Sequence, residues 1–309
     1  MHAVLTGFLP IWTITALGWL GGRHHLLGEG AQHVLGRFAF TFAMPSLLFL
    51  TMSTSHVADL ATAGVGVFAA SLVAVFLVGL ALSRWVFHRR QADQAIGAMS
   101  AGYVNSANLG IPVAVHVLHD TAFVIAAALF QMLFVTPLIL VLIDLDTHRG
   151  AGDLWARMLR LPFRNPVIAA SAAGLVVAAL GKGDRLPGEL TSTLHLLGGA
   201  AVPTALFALG MSLNARTRPS PAGRTERRVL VTLKVAVQPL VAYVLARYGV
   251  GLHGHALFAV VMCAGLPTAQ NAFIYASEYG LDTDLPRDTV LLSTLLSMAS
   301  LSLIAYLLA

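Results

Sequence analysis

Charged residues punctuate this chain at long intervals, and the intervals set its elements. No Asp, Glu, Lys or Arg precedes Arg23. Further charge-free stretches run 38–58, 60–83, 94–119, 121–143, 165–181, 190–215, 248–277 and 289–309. A helix that crosses a bilayer needs roughly 17 to 25 predominantly apolar residues, so each stretch has room for one. A tenth, weaker span lies near 229–246 and carries Lys234, placed near enough to one end for its side chain to snorkel to the interface. The pattern predicts an all-α membrane protein of about ten transmembrane helices.

Composition supports that reading. The chain has 309 residues, 57% hydrophobic and 11% charged, against roughly 25% charged in soluble domains. No stretch is left over for a separate soluble domain. The first twenty residues lack the basic start of a signal peptide and read as an uncleaved first span. The net charge of +5 is distributed as in a membrane protein rather than a nucleic-acid binder. In a ten-span arrangement, all of the 19 lysines and arginines except Lys182, Arg185 and Arg247 fall on one side. That bias places the arginine-rich loops in the cytoplasm and both termini outside, in the periplasm of a bacterial inner membrane. Cys263 is the single cysteine, which excludes an internal disulfide and a thiolate metal cage. No cofactor or metal site is expected.

The chain divides into residues 1–143, a basic cytoplasmic linker 144–165, and residues 166–309. The linker interleaves Leu154, Trp155, Met158, Leu159 and Leu161 with arginines, as either a surface-lying amphipathic helix or an ordinary loop would. The two halves resemble each other. Pro45 in span two matches Pro203 in span seven, Pro10 in span one matches Pro166 in span six, and Pro112 in span four matches Pro267 in span nine. The offsets are 158, 156 and 155 residues. Five spans is an odd number, so the second copy enters the membrane inverted, as in many secondary transporters.

Spans four and nine carry the candidate chemistry. Each has Gly-Ile/Leu-Pro within a charge-free stretch: Gly110 and Pro112 in one, Gly265 and Pro267 in the other. Proline removes a helical N–H and glycine lets the backbone open. Tyr103, Asn105, Ser106 and Asn108 precede the first break; Thr268, Gln270 and Asn271 follow the second. Opened backbone at membrane depth is tolerated only inside protein or beside an aqueous cavity, and paired breaks at equivalent positions point to a transport site. The candidate substrate-binding residues are Asn105, Asn108, Gly110, Pro112, Pro267, Thr268, Gln270 and Asn271, with half-helices restarting at Ile111-Pro112 and Leu266-Pro267.

At these residues the chain resembles the auxin efflux carrier family. The matching segments are Phe42-Ala43-Met44-Pro45-Ser46-Leu47-Leu48-Phe49, Asn105-Ser106-Ala107-Asn108-Leu109-Gly110-Ile111-Pro112, and Leu266-Pro267-Thr268-Ala269-Gln270-Asn271-Ala272-Phe273 running on to Ala276-Ser277-Glu278-Tyr279. The resemblance extends over essentially the whole chain and is closest to bacterial, malonate-transporter-like members. It implies a bile-acid-symporter-like fold, with a scaffold from spans one, two, six and seven. Spans three to five and eight to ten would form the transport domain, with four and nine crossing. It also implies a small organic anion such as a carboxylate as cargo, and Asn105 as a contact of its carboxylate.

The span centres offer such an anion no fixed cation, leaving amides, hydroxyls and helix N-termini as its partners. Coupling to protons or sodium stays open, with Asp59 and Gln131 as candidates; Gln131 also suits an interhelical hydrogen bond. His116 and His119 with Asp120 are a weaker proton or metal candidate. No His-Glu-x-x-His or Gly-x-Ser-x-Gly motif supports an enzyme. The reading is a secondary carrier working by alternating access, as a monomer or a homodimer. A receptor or sensor, or a channel, on the same fold is the alternative. The topology is testable with impermeant maleimide on intact cells. Arg185→Cys should label and Arg218→Cys should label only after the cells are opened; the reverse would invert the chain.

Overall fold

The computed structural model describes residues 2–54, 62–110, 113–118, 122–147, 166–181, 183, 186–214 and 221–308. Asp59, Ile111, Pro112, His119, Asp120, most of the linker and the side chains of Asn108 and His116 lie outside the described residues. The described chain is helical. Its elements are α1 (His2–Arg23), α2 (Ala31–Ser53), α3 (Ala63–Trp85), α4 (Gln91–Gly102), α5 (Ala122–Asp146) and α6 (Pro166–Ala179). They continue as α7 (Gly188–Ser212), α8 (Gly223–Gly249), α9 (Gly254–Ala264), α10 (Asn271–Glu278) and α11 (Asp284–Leu308). Six of them, α2, α3, α5, α7, α8 and α11, are long and apolar enough to cross a membrane. The other charge-free stretches hold α1, α6, α4 with the turns after it, and α9 with α10.

Three of the long helices widen where proline would otherwise clash. Wide turns occupy Ala39–Ala43, Gln131–Val135 and Leu233–Val237, each ending two residues before Pro45, Pro137 or Pro239. A proline supplies no N–H to the carbonyl four residues back and its ring pushes that carbonyl aside. A π-type turn accommodates both effects without breaking the helix, and such turns recur at functional positions. Here they carry Gln131 and Lys234.

Helix pairs close on small residues. α1 lies along α7, and α6 lies along α2. A Cβ on Gly18 would stand 2.2 Å from the Phe207 carbonyl oxygen, and one on Gly174 would stand 2.7 Å from that of Phe49. Van der Waals packing, rather than hydrophobic exclusion, holds helices together in lipid, and close approach maximises it. α3 packs on α4 and α9, and α4 on α5. α10 packs against α2 and buries Ala272 to Ala276, with Phe40 of α2 edge-on to Tyr275 at 5.9 Å between ring centroids. Aliphatic and aromatic side chains such as Leu77, Leu196, Leu240 and Tyr306 face outward, over a surface that hydrocarbon would cover.

Ion pairs collect at one end of the helices. Arg89, between α3 and α4, reaches Glu226 of α8 at 2.7 Å and Asp282 at 3.3 Å. Arg287 of α11 pairs with Asp284 and Asp288 and donates to the Ser212 carbonyl at the end of α7. The ends of α3, α7, α8 and α11 are therefore tied through arginines on the side that the charge bias assigns to the cytoplasm.

Lys234 departs from expectation. It does not snorkel: it is 0% exposed and directed into the protein.

Gly18→Ala and Gly174→Ala should each lower the melting temperature of the detergent-purified protein, since overpacking typically costs about 1–3 kcal/mol. Gly66→Ala, with open space around its Cβ, should leave it unchanged. Equal melting of all three would detach stability from these contacts.

Candidate functional site

Two helices stop at the same place in the protein. α4 ends at Gly102, and Tyr103 turns the chain out of the helix at φ −78°, ψ 117°. α9 ends at Ala264, followed by Gly265 at φ −77°, ψ −8°. The freed segments cross antiparallel, with Val104 opposite Thr268 in a single bridge. The Asn105 N–H donates to the Pro267 carbonyl at 2.8 Å, and the Ala269 N–H to the Tyr103 carbonyl at 3.2 Å. Each break thereby supplies partners for the other, as neighbouring strands do in a sheet.

Side chains complete the accounting that buried backbone requires. Gln131 of α5 accepts from the Val104 N–H at 2.8 Å. Its amide donates to the Val104 carbonyl at 3.3 Å and to Ser106 Oγ at 3.0 Å. The Thr268 N–H donates to Ser293 Oγ of α11 at 3.1 Å, and Thr268 Oγ1 donates to the Ser100 carbonyl at 2.7 Å. Asn105 Nδ2 donates to Gln270 Oε1 at 3.1 Å, linking the two candidate segments through their amides. The Tyr103 hydroxyl pairs with Thr136 Oγ1 at 2.9 Å and also neighbours Asn271.

The structure thus brings Asn105, Pro267, Thr268 and Gln270 together, with Asn271 one residue beyond. Gly110 sits apart from the crossing strands but packs on them: a Cβ there would stand 2.8 Å from Val124 Cγ1 and 3.1 Å from Leu266 Cδ1. Gly265 is packed against Ile304 and Leu301 of α11 in the same way. Neither needs a left-handed backbone, so close approach, rather than freedom to open, explains the glycines. The expected helix restart at Leu266-Pro267 is corrected. Those residues are in the extended crossing, and the helix resumes at Asn271. In the other segment the chain leaves the helix at Tyr103 to Asn105 and resumes as a wide helical turn at Ser106–Gly110. Ser100, Gln238 and Ser293 were not singled out from the sequence. Isolated serines are common in helices, but Gln238 one turn after Lys234 in a charge-poor span was a readable signal.

Beside the crossing is a small cavity of about 40 Å³. Met44 and Leu48 of α2 and Val202 of α7 form one wall, and Met132 of α5 with Gln270, Asn271 and Ile274 forms the other. It has room for two or three waters at ~10–15 Å³ each. An organic solute would require the walls to separate. Its only side-chain amides are Gln270 and Asn271, at the start of α10; the rest of the lining is apolar. A helix start favours negative charge.

The family described as "Membrane transport protein" matches residues 3–151 and 153–305. The chain is 28% identical over 316 residues to the "Putative malonate transporter" of Rhizobium meliloti (strain 1021), covering 99% of this chain and 96% of that one. It is 28% identical over 306 residues to an "Uncharacterized transporter" of Methanothermobacter thermautotrophicus, covering 96% and 95% respectively. It is 27% identical over 154 residues to the "Probable auxin efflux carrier component 5a" of Oryza sativa subsp. japonica, covering 48% and 42%. These relatives are transporters, not enzymes. A helical chain with six helices long and apolar enough to cross a membrane, which matches this family along nearly its full length, is a multi-pass membrane transport protein and belongs to the auxin efflux carrier family.

Proposed function

We propose that this transporter is a secondary carrier that moves a small organic anion, a malonate-like carboxylate, by alternating access across a bacterial inner membrane, with both termini periplasmic. The observation that carries the reading is the Asn105–Gln270 amide pair at the crossing of the two interrupted helices, beside the cavity. Amides give up their mutual hydrogen bond readily to a carboxylate, and the neutral contacts that result are weak enough to release it. The relative named for malonate supports the carboxylate class.

The same reading takes the fold as two inverted five-helix repeats. Its support is the paired packing: α1 on α7 repeats α6 on α2, and the Gly18–Phe207 contact repeats Gly174–Phe49 at offsets of 156 and 158 residues. α1, α2, α6 and α7 would be the scaffold. α3 to α5 and α8 to α11 would be the moving body, and the cavity lies on the seam between the two groups. Relative motion of the groups would open that seam to either side of the membrane. Gln131 then acts as a support of the crossing rather than as a proton carrier, because its amide is engaged by the Val104 backbone and the Ser106 hydroxyl.

The test is uptake of radiolabelled malonate and related carboxylates into proteoliposomes, with and without imposed sodium and proton gradients. Saturable uptake is expected, lost in a stably folded Asn105→Ala protein. Wild-type uptake by that variant would remove Asn105 from the site, and uptake that never saturates would favour a channel. Gln131→Leu leaves the Val104 N–H without its acceptor at about 1–3 kcal/mol for the orphaned group. It should lower the melting temperature and slow uptake together. Unchanged melting would contradict the supporting role.

A further inference from the structure

α8 carries two polar side chains in its middle, Lys234 and Gln238, one helical turn apart and directly before Pro239. Both are 0% exposed. The Lys234 ammonium donates to Gln238 Oε1, and to the Ala264 carbonyl at 3.1 Å. Gln238 Nε2 in turn donates to the Gly102 carbonyl at 3.0 Å. Ala264 is the last residue of α9 and Gly102 the last residue of α4. One side-chain pair on a third helix therefore reaches the terminal carbonyls of both interrupted helices.

That arrangement has a physical reason. The last carbonyls of a helix have no partner within it, and the end carries a partial negative charge of about half a unit. Two such ends meet here, away from water. A buried ammonium is costly unless its protons are taken up by well-placed acceptors. Its acceptors are neutral oxygens, and among the described residues no carboxylate pairs with it. Neutral carbonyl and amide oxygens at a site of negative potential are the donor set that a hard monovalent cation would take.

We propose that the C-terminal ends of α4 and α9, with the Gln238 amide, form a monovalent-cation site, and that the Lys234 ammonium occupies it permanently. The carrier has its cation built in, and the crossing is held together without sodium. Lys234 is a positioning residue: it touches the back of the crossing, at the helix ends, and the amides of Asn105 and Gln270 serve the cargo on the other strand segments. The inference concerns the protein without cargo and stands or falls apart from the organic-anion reading.

The test uses the purified protein in detergent, with melting followed by tryptophan fluorescence in sodium chloride or choline chloride at equal ionic strength. The wild type should melt at the same temperature in both salts. Lys234→Ala empties the site. It should melt several degrees lower in choline, and sodium should restore part of the loss saturably. Stabilisation of the wild type by sodium over choline would overturn the proposal, as would a folded Lys234→Ala protein indifferent to sodium. If Lys234→Ala does not fold in either salt, Lys234→Arg and Lys234→Met decide. Arginine keeps the charge and methionine keeps much of the volume, so the arginine variant should be the more stable. A methionine variant as stable as the arginine one would show that the charge is dispensable and overturn the assignment.

Discussion

Backbone opened inside a membrane has to find its hydrogen-bond partners within the protein, because hydrocarbon offers none. That constraint organises this transporter. Two helices are interrupted at one place, and their freed segments run past each other so that Asn105 and Ala269 donate to the carbonyls of Pro267 and Tyr103. Neither interruption would be tolerable alone. Polar side chains from the surrounding helices supply what the crossing itself does not. Gln131 serves Val104, Ser293 serves Thr268, and Thr268 serves the end of α4.

The interruption also sorts the helix ends by charge. The segments that follow the breaks carry amide side chains: Asn105 on one donates to Gln270 on the other, and Gln270 with Asn271 lines the cavity. The ends that precede the breaks present carbonyls, and Lys234 with Gln238 meets them. One locus thus joins amide side chains on its strand segments with helix-end carbonyls that Lys234 and Gln238 meet. The surrounding helices add the close glycine contacts and the arginine ties that fix where the locus sits.

Much of this was legible in the sequence. Charge-free stretches located the helices because lipid penalises unpaired charge more consistently than any local propensity acts. Pro267, Asn105 and Gln270 were marked as one region because proline and amides in a membrane helix are both exceptions that need a reason. Two things were not legible. In the first interrupted helix the departure comes at Tyr103, which carries no local signal; it is fixed by Thr268 and Pro267 on a segment more than 150 residues away. Lys234 looked like an interfacial residue by its distance from the span end, since sequence position alone does not show that two helix termini point at it.

The interrupted segments are held as firmly as the helices around them, by each other and by buried side chains. Hydrogen exchange followed by mass spectrometry on the protein in lipid nanodiscs tests this directly. Peptides covering 103–106 and 267–270 should exchange as slowly as those of α3. Exchange at the rate of the exposed turn at 24–30 would mean that the breaks are frayed rather than mutually satisfied, and would contradict it.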